Sequence, residues 1–234
     1  ADGQQVLRVD EEVTAPVSQA LQDQLFGEVC SQLESAQAII LSDYAKGCMP
    51  VPLMQNIIKA ANETGKPVIA DPKLADFSSY AGVNLLTPNL AELRTATALS
   101  DDALDIIAAA AGGLAAAHDI DAILTTLSAR GMLLAHADGS WTHAPAEARA
   151  VFDVSGAGDT VVAMLAACIA AGIRHEDALS LANIAAGVVV GKSGTAVVSP
   201  GEMIAAAGPV GGPTQWQQAT KMCAAWQEDG QRVG

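Results

Sequence analysis

The order of hydrophobic and polar residues along this chain predicts first a helix and then a strand. Between positions 17 and 35 an apolar residue returns about every fourth position, which predicts an amphipathic helix. The four residues that follow, 38–41, form an unbroken apolar run, which is typical of a strand buried in a parallel sheet. Ser42 and Asp43 come directly afterwards and mark the carboxyl end of this strand.

This order of helix and strand is repeated along most of the chain. Strands that alternate with helices indicate a parallel sheet covered by helices on both faces, so we predict an α/β fold. Around positions 137–139 the pattern instead predicts a hairpin. The predicted strands cover 38–41, 68–70, 84–86, 122–126, 132–135 and a segment near Trp141, and the predicted helices cover 17–35, 51–64, 104–118, 160–171, 175–190 and a stretch from about 91.

Polar residues follow four of the predicted strands at the point where each strand ends. They are Asp43, Asp71, Asn89 and Thr126. In open parallel sheets, ligands bind outside the carboxyl ends of the strands. The sequence therefore predicts a cleft lined by these four side chains.

The charge balance of the chain narrows the choice of ligand. With a formal net charge of −14 and a pI near 4.4, the surface repels nucleic-acid backbones and anionic lipid, so we expect neither nucleic acid nor a membrane as partner. A small phosphorylated ligand is compatible with this charge, because backbone amides and one or two cations can bind an anion in an acidic protein. The four cysteines and four histidines are scattered, which predicts neither a disulfide framework nor a metal cluster and favours a cytoplasmic location.

An acidic residue follows two closely spaced glycines in the segment Asp153-Val-Ser-Gly-Ala-Gly-Asp159, directly before an uncharged helical run. Gly156 and Gly158 allow backbone amides to turn toward one point, and the start of a helix favours a bound anion there. Asp159 is then either a helix N-cap or a general base. As a base it would take the proton from an attacking hydroxyl while the amides stabilise a transferred phosphoryl group.

Two other glycine motifs do not fit. A dinucleotide fingerprint needs a glycine where Val161 stands, and a Walker A loop ending in Gly191-Lys-Ser193 needs one where Ala186 stands. Taken alone, the glycine segment is also compatible with a simple helix-capping turn.

Residues 151–160 resemble the C-terminal signature D-T-x-G-A-G-D of the ribokinase-like (PfkB) family of carbohydrate kinases, with Val154 and Ser155 in place of T-x. The resemblance implies a ribokinase-like three-layer α/β/α sandwich with a mostly parallel central sheet. It also implies that Asp159 deprotonates the acceptor hydroxyl. The anion hole would consist of the backbone amides of Gly156, Ala157 and Gly158.

The same resemblance implies where nucleotide and cations bind. Thr87-Pro-Asn-Leu-Ala-Glu92 resembles the family's N-x-x-E element, in which Asn89 and Glu92 organise magnesium. A capping box at a helix start would use the same two residues without a metal. The expected ATP contacts are Lys73, Asn89, Glu92, Thr126, Ser128, Gly131 and Asn183, and the expected groups near Mg²⁺ or a monovalent cation such as K⁺ are Glu92, Asp153 and Ser155.

Within this family, segments 42–47, 70–73, 85–92 and 182–195 resemble the heptose-7-phosphate kinase branch. That resemblance implies phosphoryl transfer from ATP to O1 of D-glycero-β-D-manno-heptose 7-phosphate, on the route to ADP-heptose for lipopolysaccharide. Asp43 and Lys46 would then face the sugar phosphate, and we expect a homodimer.

We expect residues 1–205 to form the kinase domain and residues 206–234 to form a linker and a polar helix. Because the resemblance begins near the middle of the family's domain, it implies an N-terminally truncated version of the fold. Two other functions stay open: a non-catalytic nucleotide-binding fragment or regulatory subunit, and a ribokinase-like kinase for another sugar.

Overall fold

The computed structural model describes residues 9, 11–12, 14–146, 154 and 156–207. Six strands in this part of the chain form one sheet in chain order: β1 (Ile39–Ser42), β2 (Val68–Asp71), β3 (Leu85–Leu86), β4 (Ala122–Thr126), β5 (Met132–His136) and β6 (Trp141–Ala144). The helices are α1 (Gln19–Gln32), α2 (Val51–Glu63), α3 (Leu90–Thr97), α4 (Leu104–Ala117), α5 (Ala157–Ala170), α6 (His175–Val189) and α7 (Pro200–Ala207). Two short 3-10 turns cover Phe77–Tyr80 and Ser128–Arg130.

The sheet is parallel from β1 to β4, and β5 and β6 return antiparallel. The predicted α/β class with a mostly parallel sheet is therefore confirmed. The predicted hairpin is confirmed as well, since Ala135 pairs with Trp141 across it. Because each connection between parallel neighbours returns the chain to the same end of the sheet, β1 to β4 all finish at one edge.

Helices cover both faces of the sheet. Because its strands are therefore buried on both sides, they consist largely of consecutive apolar residues. In β4, Ile123 packs in the core that includes Leu93 of α3 and Ile107 of α4. The next residue, Leu124, points to the opposite face and packs in the core that includes Leu165 of α5. The predicted three layers are thus present, with α2, α3 and α4 on one face and α5 and α6 on the other.

One boundary that differs from the sequence prediction is the start of α5, which lies at Ala157 rather than at Thr160. Gly156 precedes it as the N-cap with φ +77°, a left-handed conformation that glycine adopts at low cost. The helix therefore takes Ala157, Gly158 and Asp159 into its first turn. The amides of a first helical turn have no intrahelical acceptor, so they are available to an anion.

Two further points concern membrane-spanning helices and the predicted C-terminal segment. Among the described residues, no helix is both long and apolar enough to cross a membrane. The predicted linker and polar helix fall on residues 206–234, of which 208–234 lie outside the described residues, so this domain boundary stays a prediction.

A glycine closes the turn between β4 and β5. Gly131 adopts φ +89° and ψ −134°, a combination close to the region reserved for glycine. A Cβ atom on this residue would lie 2.0 Å from the carbonyl oxygen of Ala144. Gly139, at the tip of the neighbouring hairpin, also has a positive φ of +85°, but its Cβ position faces open space.

We expect Gly131→Ala to lower the free energy of unfolding by at least about 3 kcal/mol, because a strained φ is combined with a backbone clash. Gly139→Ala is the matched control with strain alone, and we expect it to cost about 1–2 kcal/mol. Urea unfolding followed by circular dichroism measures both values. Equal losses in the two variants would contradict the clash at Gly131.

Candidate active site

The parallel register brings four strand ends together at one edge of the sheet. The amide of Asp43 donates to the carbonyl oxygen of Asp71 at 3.1 Å, which joins the ends of β1 and β2. The amide of Thr126 donates to the carbonyl oxygen of Pro88 at 3.0 Å, and Asn89 and Thr126 form an isolated parallel bridge. Asp43, Asp71, Asn89 and Thr126 therefore lie at one edge of the sheet as predicted, whereas the cleft between them stays a prediction.

Asp71, one of the four residues at the strand ends, has a pKa that is clearly shifted in the folded protein. Its pKa is raised to about 6. Burial is the main cause, and the negative charges of Glu92 and Asp159 raise it further, against the opposing effects of Lys73 and a hydrogen bond with Thr87. Sequence reasoning placed Asp71 at the end of a strand but gave it no role, because this pKa depends on charges contributed by distant parts of the chain.

Lys73 lies next to this carboxyl, on the loop that follows β2. Its Nζ atom is 2.5 Å from Oε1 of Glu92. Burial lowers the pKa of Lys73, but the hydrogen bond to Glu92 and the charges of Glu92 and Asp71 outweigh burial, so the pKa is raised overall. Lys73 is therefore firmly cationic and faces a set of carboxylates.

Glu92 and Asn89 meet at the start of α3. The Asn89 side chain accepts from the amide of Glu92 at 2.9 Å, and Oε2 of Glu92 accepts from the amide of Asn89 at 2.8 Å. This is a capping box, so that reading of the two residues is confirmed. Both carboxylate oxygens of Glu92 are engaged, one by the cap and one by Lys73, and its role at magnesium stays a prediction.

The glycine segment supplies the opposite wall of the site. Asp159 is exposed and occupies the first turn of α5, and its charge acts on the carboxyl of Asp71. The N-cap is Gly156, so the alternative that Asp159 serves as the N-cap is wrong. The first turn of α5 therefore lies within electrostatic reach of Asp71 at the end of β2.

Asp43 lies inside the protein rather than on the cleft surface. It is 3% exposed, and both of its oxygens are bonded: Oδ1 accepts from the amide of Ala45 at 2.7 Å and Oδ2 from the hydroxyl of Tyr80 at 2.5 Å. Sequence reasoning missed Tyr80, since no pattern links it to Asp43 across the intervening chain. Lys46, the other residue predicted to face the sugar phosphate, is ion-paired with Glu12.

The residues predicted to lie on the nucleotide side are spread over the turn after β4 and helix α6. Thr126 ends β4, Ser128 stands in the 3-10 turn with φ +55°, and Gly131 closes that turn. Asn183 donates to the carbonyl oxygen of Pro145 at 2.9 Å, which ties α6 to the segment after β6. The ATP contacts of these residues stay predictions.

The predicted metal ligands lie only partly within the described residues. Asp153 and Ser155 lie outside the described residues. Within the described ranges, no group of three or more histidine, cysteine or acidic side chains is arranged to hold a metal ion. The metal roles predicted for Glu92, Asp153 and Ser155 therefore stay predictions.

Comparison with curated proteins finds relatives that match most of this chain. It is 47% identical over 206 residues to the Bifunctional protein HldE of Paramagnetospirillum magneticum, covering 88% of this chain and 42% of that protein. It is 51% identical over 181 residues to the Bifunctional protein HldE of Halorhodospira halophila, covering 77% of this chain and 37% of that protein. The chain thus spans less than half the length of these relatives.

Solved structures agree on the fold. Phosphofructokinase-2 from Escherichia coli in complex with potassium superposes with a TM-score of 0.70 at 19% identity, over 80% of this chain and 61% of that chain. Ribokinase from Arabidopsis thaliana complexed with ribose and ATP gives a TM-score of 0.63 at 24% identity, over 71% and 54% of the two chains. The model of the pfkB family carbohydrate kinases matches residues 2–201. The chain therefore belongs to the pfkB family of carbohydrate kinases, and its fold is ribokinase-like.

Proposed function

We propose that this chain carries the nucleotide-binding and catalytic part of a kinase that transfers a phosphoryl group from ATP to O1 of D-glycero-β-D-manno-heptose 7-phosphate. One observation supports it above the others: Asp159 stands in the first turn of α5 and its charge acts on Asp71, which in turn interacts with Lys73 and Glu92. A base, an anion-binding helix start and a phosphate-facing cation are the groups that such a transfer needs.

In the proposed reaction, Asp159 accepts the proton of the acceptor hydroxyl as its oxygen attacks the γ-phosphorus. The bond from that phosphorus to the bridging oxygen of ADP breaks, and ADP leaves. The amides of the first turn of α5 donate to the oxygens of the transferred group, where the positive end of the helix dipole also favours negative charge. The Lys73 ammonium offsets further negative charge of the phosphates once they displace Glu92 as its partner.

A magnesium ion fits the donors at this edge. Mg²⁺ prefers oxygen ligands, usually keeps several waters and is bound through one or two carboxylates together with substrate phosphates. Asp71 and Glu92 offer that donor set, and a cluster of three or more ligating side chains is not needed. When bound, the ion would neutralise the charge of the phosphate oxygens.

The choice of heptose 7-phosphate rests on the relatives. Proteins named Bifunctional protein HldE match this chain at 47% and 51% identity, and the segments that resemble the heptose-7-phosphate kinase branch include the loops after β1 and β2.

Two alternatives are distinguished by the assay below. A non-catalytic nucleotide-binding part would bind ATP without turnover, and a kinase for another sugar would turn over with ribose or fructose 6-phosphate.

The proposal extends to a monovalent cation, to assembly and to location. A similar structure was determined in complex with potassium, and another shows a tetrameric form of the same phosphofructokinase-2. These neighbours are compatible with a potassium ion, which we place near Asp153 and Ser155, and with self-association of this chain, for which we propose a homodimer. A cytoplasmic location follows from the expected substrates, ATP and a sugar phosphate.

We expect Asp159→Asn to lower kcat for ADP release by about 10²–10⁴-fold, because the general base is lost while the helix start is retained. Coupled ADP release with Mg-ATP and heptose 7-phosphate, ribose or fructose 6-phosphate measures turnover on each sugar. Calorimetry measures ATP binding, which should be unchanged.

Asp105→Asn is the matched control, since Asp105 is another exposed acidic residue in the first turn of a helix. It should leave kcat within about twofold, because it is not placed to accept the hydroxyl proton. Full activity of Asp159→Asn would rule out the proposed base. ATP binding without turnover in the unaltered protein would favour the non-catalytic alternative.

We expect Asp71→Asn to stabilise the ligand-free protein at neutral pH. The folded pKa of Asp71 is about 6, above the ordinary 3.8, so between these values the unfolded carboxyl ionises while the folded one stays protonated. Stability of the unaltered protein is therefore lost as pH rises through this window. The variant escapes this loss, with a gain of about 1 kcal/mol above pH 6 after allowing for solvent screening of a half-exposed group.

Urea unfolding at about pH 4 and about pH 7.5 brackets this window and tests the difference. Asp76→Asn is the control of opposite sign, because a hydrogen bond from Ser78 lowers the pKa of that exposed carboxyl. Because the folded pKa of Asp76 lies below the ordinary 3.8, most of its contribution is already present at about pH 4, so the loss of stability should be nearly the same at both pH values. A stability gain from Asp71→Asn that is equal at both pH values would contradict the raised pKa.

A further inference from the structure

A buried hydroxyl joins three separate segments beneath the site. The side chain of Tyr80 is 0% exposed, and its hydroxyl donates to Oδ2 of Asp43 at 2.5 Å. The hydroxyl oxygen of Tyr80 also accepts from the amides of Lys73 and Leu74, each at 3.1 Å. The Tyr80 hydroxyl is thus the common partner of the loop after β1 and the loop after β2.

The direction of these hydrogen bonds is fixed by charge. Burial raises the pKa of Tyr80 well above its ordinary value, and the bond to Asp43 raises it further, so the phenol keeps its proton. The phenol donates that proton in a hydrogen bond to Oδ2 of Asp43, while Oδ1 of Asp43 accepts from the amide of Ala45. The lone pairs of the Tyr80 oxygen are then left for the two amides of the loop after β2.

These hydrogen bonds fix the position of the Lys73 backbone, from which the side chain extends. Lys73 is exposed, and a long lysine side chain loses much conformational entropy when it is held in one place. Its amide is nevertheless anchored to the buried hydroxyl, and its Nζ lies 2.5 Å from Glu92. A backbone anchored at this point restricts the positions that the ammonium group can reach beside Asp71.

We propose that Tyr80, held by Asp43, is a positioning residue that sets the Lys73 ammonium opposite Glu92 and Asp71 in readiness for the phosphates of ATP. Asp43 then acts through Tyr80 and does not contact the sugar. The claim that Lys73 awaits the phosphates of ATP rests on the proposed function. The claim that Tyr80 positions Lys73 rests only on the contacts described above.

Tyr80→Phe removes the hydroxyl and keeps the aromatic ring, which meets Phe77 edge to face at a centroid distance of 6.4 Å. Because this change also leaves a buried carboxylate without its donor, the double variant Tyr80→Phe/Asp43→Asn is made alongside it. Ile107→Val is the control for general loss of stability, since Ile107 is fully buried in the same apolar core but far along the chain from the loop.

Two measurements follow the position of Lys73 without any nucleotide. We expect hydrogen exchange at the amides of Lys73 and Leu74 to rise at least about tenfold in both Tyr80 variants but not in Ile107→Val, while the amide of Leu86 is unchanged. We expect acylation of the Lys73 amine to rise about threefold toward that of Lys59, whose pair with Glu63 is weak and exposed. If exchange and acylation in the Tyr80 variants match those in Ile107→Val, the positioning role is overturned.

The third measurement is the affinity for Mg-ATP by calorimetry. We expect the Tyr80 variants to bind about tenfold more weakly than Ile107→Val, as for a misplaced charge-assisted contact. Unchanged affinity would overturn the link from Tyr80 to the phosphates. If the unaltered protein fails to bind Mg-ATP while exchange and acylation respond as expected, the proposed function fails and the positioning of Lys73 by Tyr80 stands.

Discussion

The site depends first on the parallel register of β1 to β4. Because these strands are hydrogen-bonded side by side and run the same way, their carboxyl ends meet at one edge of the sheet. Ser42 pairs with Asp71 in this register, and the bridge between Asn89 and Thr126 extends the alignment to the end of β4. A shift of one residue in any strand would turn its polar end toward the opposite helical layer.

Charge is the second constraint on this edge. The charges of Glu92, Asp159 and Lys73 all act on Asp71, in a protein whose net charge is already −14. Burial is the main cause of the raised pKa of Asp71, repulsion by Glu92 and Asp159 adds to it, and the positive charge of Lys73 offsets part of it. Such an arrangement favours a polyvalent cation, and through the cation it favours a polyphosphate.

Helix α5 resolves the apparent conflict between an acidic residue and an anion-binding turn. Gly156 caps the helix in a left-handed conformation, so Asp159 needs no capping role and its carboxylate is left exposed. The amides of the same turn carry the partial positive charge of the helix start. One turn therefore presents both a proton acceptor and hydrogen-bond donors, which is the combination that transfer of a phosphoryl group to a hydroxyl requires.

Much of the fold could be predicted from the sequence, because hydrophobic period and the residues at element ends are local properties. The alternation of helices and strands, the hairpin and the Asn89–Glu92 segment at a helix start were all predicted. The start of α5 was placed three residues late, because the amino-acid pattern does not reveal the backbone angles of Gly156. The match to a carbohydrate kinase signature was likewise a property of one short segment, residues 151–160.

Tertiary structure alone decided which of the polar residues act on one another. Asp43 was predicted to face the cleft, yet it lies 3% exposed and is bonded to Tyr80, 37 positions along the chain. The raised pKa of Asp71 likewise arises from burial and from charges on α3 and α5. The sequence by itself determined the elements and their order, since these follow from local hydrophobic pattern and propensity. Pairings across the sheet and the burial of each charge were decided by packing, because they depend on distances between segments that no local pattern encodes.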